Sequence, residues 1–199
     1  MPSYAVLIRG PLGVGKTTVA RTVAAALGAG YVSIDRILDE PGVEQWTDDR
    51  IPPESFLEVN RRALERSAGA RARGRAFVFD GNFYYQVQID DLVQRLGVPS
   101  AIVTLCAPLA VCVARDAGRA TSLGAGAARD VFAMVAGVDA GVPVDATGSV
   151  ADTVAAVLRA IRDRVPAGPT RSRARPRPVE GARRGATGPR SPRARGRRR

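Results

Sequence analysis

Short apolar runs alternate with amphipathic stretches along the first 165 residues of this 199-residue chain. Five runs predict strands, at residues 4–8, 31–34, 76–79, 101–106 and 142–144. Helical spacing predicts helices at residues 16–27, 54–71, 87–96, 109–119 and 129–138, and a last one that Ser149 and Asp152 begin as a capping box. Strands that alternate with helices indicate an α/β fold in three layers, around a five-stranded and mainly parallel sheet.

A glycine-rich loop joins the first strand to the first helix. It matches the pattern G-x-x-x-x-G-K-[ST], and its candidate phosphate-binding residues are Gly10, Pro11, Leu12, Gly13, Val14, Gly15, Lys16, Thr17 and Thr18. Its glycines let backbone N–H groups turn toward phosphates, and the positive end of the following helix adds to that anion site. Lys16 is the only lysine of the chain, at the position where the mechanism needs an ammonium. We expect Lys16 to reach the terminal phosphates of ATP and the Thr17 hydroxyl to bind Mg²⁺.

Two carboxylates are predicted at the ends of strands, where ligands bind in open α/β sheets. Asp80 follows the third apolar run and is a candidate Mg²⁺ ligand, or alternatively a turn residue before Gly81. The position after Asp80 is not the glutamate with which motor ATPases activate water, so the pattern favours transfer to another acceptor. Asp35 ends the second run and is a candidate base for an acceptor hydroxyl, with Arg36 as a neighbour for an anionic acceptor. The alternative for Asp35 is a helix N-cap.

Arginines flank the Gly- and Ala-rich segment at residues 120–128, which we expect to be flexible. Arg115 and Arg119 are four residues apart, on one helix face, and Arg129 follows the segment. If the segment closes as a lid, these guanidinium groups would stabilise charge on the transferring phosphate, which makes Arg115 and Arg119 candidate catalytic residues. An ordinary solvated helix face is the competing interpretation.

The net charge of +11 comes entirely from the C-terminal tail. Residues 166–199 hold twelve Arg and one Glu, whereas residues 1–165 hold eighteen basic and eighteen acidic residues. The tail is nearly free of large apolar residues, so we expect a folded domain at residues 1–165 and a disordered tail. Such a tail can contact nucleic acid or an acidic surface, or it can be a solvated appendage without a specific role.

The chain shows no pattern for secretion or for spanning a membrane, so a cytoplasmic protein is expected. Cys106 and Cys112 lie among apolar residues, which predicts two reduced thiols in the core. The oligomeric state is not legible from the sequence.

The arrangement resembles the P-loop small-molecule and nucleic-acid kinases, and within them the compact AAA-type predicted kinases. The resemblance rests on GPLGVGKTT, YVSIDRIL, VFDGNFY, TLCAPLAVCVARDAGR and GVPVDATG. It implies a nucleoside-kinase-like fold, ATP and Mg²⁺ as cofactors, Asp35 as the base and Arg115 or Arg119 in a lid. It also implies that Val144, Asp145 and Ala146 lie against the adenine. Some of these kinases carry Asp-x-Asp at the second strand, whereas this chain has Ser33 at the first position.

Two functions follow as hypotheses. The favoured one is a kinase that moves the γ-phosphate of ATP to a hydroxyl of a small molecule or of a nucleic-acid end. The alternative is an ATP-binding protein or ATPase without kinase activity, recruited to RNA or an acidic partner by the tail. A GTPase switch is disfavoured, because its Asn-Lys-x-Asp motif needs a second lysine. The acceptor pocket is expected around Asp35, Arg36, residues 39–62, Tyr84 and Tyr85, and the single Trp46 belongs to that stretch.

Overall fold

A computed structural model describes residues 4–43 and 51–165. Five strands form one sheet in the order β2-β3-β1-β4-β5, and every pairing is parallel. The strands are β1 (Ala5–Arg9), β2 (Gly30–Ser33), β3 (Phe77–Asp80), β4 (Ser100–Cys106) and β5 (Val142–Asp145). The five predicted strands and the parallel sheet are therefore confirmed. Trp46 and the predicted tail at residues 166–199 lie outside the described residues, so the boundary after residue 165 stays a prediction.

Seven helices connect or follow the strands in the described part of the chain. They are α1 (Lys16–Leu27), α2 (Ile34–Leu38), α3 (Pro53–Arg71), α4 (Gln86–Leu96), α5 (Leu109–Ala117), α6 (Gly124–Ala136) and α7 (Val150–Arg164). The capping signal before α7 is confirmed, since the Ser149 side chain accepts a hydrogen bond from the Asp152 N–H. None of these helices is long and apolar enough to cross a membrane.

The sheet buries both of its faces, which makes three layers. Side chains alternate along β1, so that Val6 and Ile8 pack in one core with α1, α5 and α7. Ala5 and Leu7 pack in the opposite core with α2, α3 and α4. Because all strands run the same way, their carboxyl ends meet at one edge, and the residues that follow them lie close together there.

Three expectations about local structure were wrong. Residues 120–128 are not a loop throughout, because α6 begins at Gly124, whose N–H donates to the Ser122 hydroxyl. Asp35 lies in the first turn of α2 and not at the end of a strand, since the pairing of β2 with β3 stops at Ser33. Cys106 is exposed where β4 reaches the carboxyl edge of the sheet, whereas Cys112 is buried; both are free thiols.

Candidate active site

The predicted phosphate loop lies between β1 and α1, and α1 begins at Lys16. Its backbone passes so close to α5 that a Cβ atom on Gly13 would lie 2.0 Å from the carbonyl oxygen of Cys112. Gly13 also has a φ of 76°, a value that L side chains rarely adopt. The loop is therefore held in its curled form by packing against α5, with the positive end of α1 behind it.

The Lys16 side chain folds back across the loop and is only 6 % exposed. Its Nζ donates to the Pro11 carbonyl oxygen at 3.0 Å and to Asn82 Oδ1 at 2.8 Å. Burial lowers the pKa of the ammonium, and the charges of Asp35 and Asp80 oppose that shift. Lys16 is thus held between the phosphate loop and the end of β3.

Asp80 accepts hydrogen bonds at both carboxylate oxygens and is fully buried. Thr17 Oγ1 donates to Oδ2 at 2.8 Å, and the Tyr31 hydroxyl donates to Oδ1 at 2.7 Å. A hydroxyl next to a carboxylate is the oxygen donor set that Mg²⁺ prefers, so the two predicted metal ligands fit that ion and lie together. Tyr31 is a neighbour of Asp80 that the sequence reasoning did not single out.

Asp35 faces the same edge from α2. Its Oδ1 accepts a hydrogen bond from the backbone N–H of Asn82 at 3.0 Å. Desolvation raises the pKa of Asp35, and the nearby charge of Lys16 and the bond from Asn82 reduce that shift. A carboxylate with a raised pKa is a better proton acceptor than an ordinary aspartate. The N-cap alternative does not describe Asp35, because Ser33 occupies that position.

Asn82 joins the two sides of the site, and the sequence reasoning did not identify it. Its side-chain oxygen accepts from Lys16, its Nδ2 donates to the Tyr84 hydroxyl at 2.7 Å, and its backbone N–H binds Asp35. It is 5 % exposed. An amide two residues after a strand-end aspartate was the available signal, since that position must lie at the carboxyl edge of the sheet.

Gly81, between Asp80 and Asn82, lies where there is no room for a side chain. A Cβ atom on Gly81 would lie 2.7 Å from Ile34 Cβ and 3.3 Å from Asp35 Oδ1. A glutamate at this position would displace the start of α2. The absence of a water-activating carboxylate after Asp80 is thus tied to the close approach that brings Asp35 to Asn82.

The two predicted lid arginines have different partners. Arg115 donates to the carbonyl oxygens of Ala146 at 2.7 Å and Thr147 at 3.1 Å, and so holds the loop after β5. Arg119 lies 3.7 Å from the buried carboxylate of Asp116, and its charge lowers the pKa of Lys16. Of the two arginines, Arg119 is therefore the one whose charge reaches the Lys16 ammonium. Both side chains are exposed, and their catalytic roles stay predictions.

Arg9, the last residue of β1, fixes the far side of the site. It is 1 % exposed, and its guanidinium donates to the carbonyl oxygens of Val138 at 2.7 Å, Val135 at 2.8 Å and Phe83 at 3.3 Å. Phe83 is buried and has a φ of 51°, a strained value for a bulky residue. The arginine thereby ties the strained turn after Asn82 to the end of α6.

Aromatic side chains continue from Asn82 away from the phosphate loop. Phe56 packs against Tyr84 and Tyr85, with ring centroids 5.4 Å and 5.5 Å apart. Desolvation and the charge of Asp35 raise the pKa of Tyr84, which keeps its hydroxyl protonated. The two tyrosines predicted near the acceptor are thus next to Asn82, whereas the predicted contribution of Arg36 is an exposed side chain on α2.

Comparison with known proteins gives the same fold. A sugar kinase from Janibacter sp. has a TM-score of 0.67 and 20 % identity, and the match covers 83 % of this chain and 98 % of that one. A gluconokinase from Sinorhizobium meliloti has a TM-score of 0.61 and 19 % identity, and the match covers 80 % of this chain and 91 % of that one. Shikimate kinase from Aquifex aeolicus has a TM-score of 0.56 and 13 % identity, and the match covers 79 % of this chain and 95 % of that one. At these identities the likeness establishes a P-loop kinase-like fold. No curated protein sequence matches the chain.

A family model described as an AAA domain matches residues 6–138. That range includes the phosphate loop, Asp35, the Asp80–Asn82 turn and both candidate lid arginines, and it covers more than half of the chain. The chain belongs to this AAA domain family.

Proposed function

We propose that the protein is an ATP-dependent phosphotransferase that phosphorylates a hydroxyl group. Lys16 and the loop bind the phosphates of ATP, and Asp35 accepts the proton of the acceptor hydroxyl. The acceptor oxygen forms a bond to the γ-phosphorus while the bond from that phosphorus to the β–γ bridging oxygen breaks, and ADP leaves. Thr17 and Asp80 would hold Mg²⁺, which when bound neutralises charge on the phosphates.

One observation carries this proposal. Asn82 is bonded at the same time to the ammonium of Lys16, at 2.8 Å, and to the carboxylate of Asp35, at 3.0 Å. The cation for the phosphates and the base for the acceptor are therefore held on one residue, which suits transfer from ATP to a hydroxyl positioned between them.

Hydrolysis of ATP without transfer is supported less well. A water-activating carboxylate directly after Asp80 would displace Ile34, since a Cβ atom on Gly81 would lie 2.7 Å from Ile34 Cβ. Asp35 belongs to a different element, α2. Through Asn82 it is linked to Tyr84, which packs against Phe56 in the aromatic region away from the phosphate loop. Contact of the Arg-rich tail with nucleic acid or an acidic surface stays a prediction, and so does a cytoplasmic location.

The lid arginines have separable roles in this proposal. Arg119 stabilises charge on the transferring phosphate, whereas Arg115 orders the loop at Ala146 and Thr147. Of these two residues, Ala146 belongs to the segment that the family resemblance puts against the adenine. Arg119→Met should lower the transfer rate about tenfold with little change in ATP affinity. Arg115→Met should weaken ATP binding by roughly threefold to tenfold, through loss of two hydrogen bonds, with a smaller effect on rate. If Arg119→Met and Arg115→Met changed the transfer rate equally and ATP affinity equally, the two arginines would not have separate roles.

The direct experiment is an acceptor screen with the full chain, ATP and Mg²⁺, in which the phosphorylated product is detected. Hydroxyl-bearing metabolites, antibiotics and 5′-OH oligonucleotides are the compounds to test. Lys16→Met is the negative control, because it removes the loop cation. ADP formed only in the presence of one acceptor class, with phosphate recovered on that acceptor, supports the proposal. ADP and free phosphate formed at the same rate with every compound would favour the ATPase alternative.

A further inference from the structure

A cavity of about 740 Å³ opens beside Tyr84 and Tyr85. One wall is Tyr84, Tyr85 and the start of α4 at Gln86. The other is one face of α6 with Asp130, Ala133 and Met134, continued by its C-cap Gly137. Tyr84 connects the cavity to the reacting groups, since its hydroxyl is bonded to Asn82, which in turn binds Asp35. The cavity is therefore linked to the candidate base through Tyr84 and Asn82.

The charged side chain in the described lining of the cavity is negative. Asp130 is the acidic residue among the described side chains that line it, and no lysine or arginine lines it in that part of the chain. Gln86, a lining residue, donates from Nε2 to Asp90 Oδ1 at 2.8 Å and so connects the lining to a second carboxylate. The Tyr84 hydroxyl, on the side of Asn82, lies in the field of two more carboxylates, Asp35 and Asp39.

Arg9 contacts the end of the α6 wall but is not a lining residue of the cavity. Its guanidinium donates to the carbonyl oxygens of Val138, a lining residue, and of Val135, and the side chain is buried. Among the described lining residues, an anionic acceptor would therefore meet the Asp130 carboxylate and no cation. A cationic group would meet carboxylates together with the two tyrosine rings, both of which attract cations.

The rest of the lining is apolar. Ala133, Met134 and Val138 face the two tyrosines across the cavity, and Met134 is 37 % exposed although it is a large hydrophobic residue. An apolar or aromatic body of a small molecule fits between these walls, because it removes the exposed apolar surface of both from water.

We propose that the phosphate acceptor is a small hydroxyl-bearing molecule with a positively charged amine and an apolar or aromatic body. This acceptor class rests on the proposed phosphotransferase function. The amine is recognised by Asp130 and the tyrosine rings, and the hydroxyl extends past Tyr84 toward Asp35. Carboxylate acceptors and 5′-OH nucleic-acid ends are disfavoured, since both bring negative charge into a cavity that carries negative charge already.

Binding of three matched probes to the full chain tests this cavity without any need for catalysis. Tyramine, tyrosol and 4-hydroxyphenylacetate share one hydroxyphenyl body and carry a cation, a neutral alcohol and an anion. We expect tyramine to bind about tenfold more tightly than 4-hydroxyphenylacetate, the difference that a partly solvated charge pair gives. Saturation-transfer NMR at millimolar probe concentrations measures all three.

Substitutions in the lining assign the preference to this cavity. Asp130→Asn should reduce it to roughly twofold, and Met134→Lys, which puts a cation in the same wall, should reverse it. Asp163→Asn is the matched control, because Asp163 is an exposed acid on α7 that does not line the cavity, and it should leave the preference unchanged. Equal or tighter binding of the acid, no binding of any probe, or a preference that survives both lining substitutions would overturn the proposal.

A transfer assay with the same three hydroxyl-bearing probes separates this proposal from the function on which it rests. Phosphate transfer to 4-hydroxyphenylacetate in preference to tyramine would overturn the acceptor class and leave the phosphotransferase standing. Amine-selective binding of the probes, with no transfer from ATP to any hydroxyl compound, would uphold the charge preference of the cavity and count against the phosphotransferase.

Discussion

The two halves of the site are built in different ways. The phosphate half consists of nine consecutive residues, 10–18, between one strand and one helix. The acceptor half is assembled from α2, the turn after β3 and one face of α6, which are far apart in sequence. Local backbone geometry specifies the first half, whereas the second depends on how distant elements pack. Substitutions in the first half should therefore abolish nucleotide binding, and substitutions in the second should change transfer while ATP still binds.

Gly13→Ala should give the largest effect, because it should reduce both the stability of the fold and the binding of ATP by the phosphate half. Its Cβ would overlap the Cys112 carbonyl oxygen, a backbone atom that cannot rotate away. We expect the free energy of unfolding to fall by about 3 kcal/mol and ATP affinity to fall by roughly a hundredfold or more. Denaturant unfolding and calorimetric ATP titration measure these. Gly15→Ala is the control for the clash, since nothing lies within 4 Å of its added Cβ. It should destabilise the fold by only about 1 kcal/mol, for its left-handed backbone.

Gly81→Ala tests whether the acceptor half depends on close packing. The added Cβ would lie 2.7 Å from Ile34 Cβ, so the first turn of α2 must move and carry Asp35 with it. We expect a loss of about 1–3 kcal/mol in the free energy of unfolding and about a hundredfold lower transfer. ATP affinity should change by less than about threefold, because the phosphate loop lies outside the clash. A parallel loss of ATP affinity would show that the halves are not separate.

Substitution of Asn82 should have a smaller effect and show how the halves are coupled. Asn82→Ala removes the side-chain bonds to Lys16 and Tyr84 but keeps the backbone bond to Asp35, so transfer should fall about tenfold. Asn82→Asp puts a negative charge near Asp35, which should raise the pKa of that carboxyl and move the acid limb of the pH–rate profile to higher pH. If neither the transfer rate nor the acid limb of the pH–rate profile changes in these variants, Asn82 does not couple the phosphate half to the acceptor half.

The same division explains what the sequence could predict. The five strands, the loop between β1 and α1, and the cap at Ser149 follow from local patterns, and all lie where they were expected. The order of the strands in the sheet was not predicted. Asp35 was identified but assigned to a strand end, because the stop of β2 at Ser33 depends on its pairing with β3. Asn82, Arg9 and the α6 face of the cavity were missed, since their roles come from contacts between residues 47 or more positions apart or from packing that no local periodicity encodes.

The most direct test of the account is transfer by Asp35→Asn, with ATP affinity, stability and pH dependence measured alongside. Asparagine keeps the shape and the bond from Asn82 but cannot accept the proton. Transfer should fall by about 10²–10⁴-fold, and ATP affinity should stay within about threefold. In the wild type the rate should fall as pH drops through the raised pKa of Asp35, above the ordinary value of 3.8.

The stability expected of this variant has a definite sign. The folded-state pKa of Asp35 is raised, so its contribution to stability is present below the ordinary pKa and is lost as pH rises through the raised one. At neutral pH, Asp35→Asn should therefore unfold at an equal or higher temperature than the wild type. Undiminished transfer by this variant would contradict the central claim that Asp35 is the base. Equal losses of transfer and ATP binding would contradict the separation of the two halves.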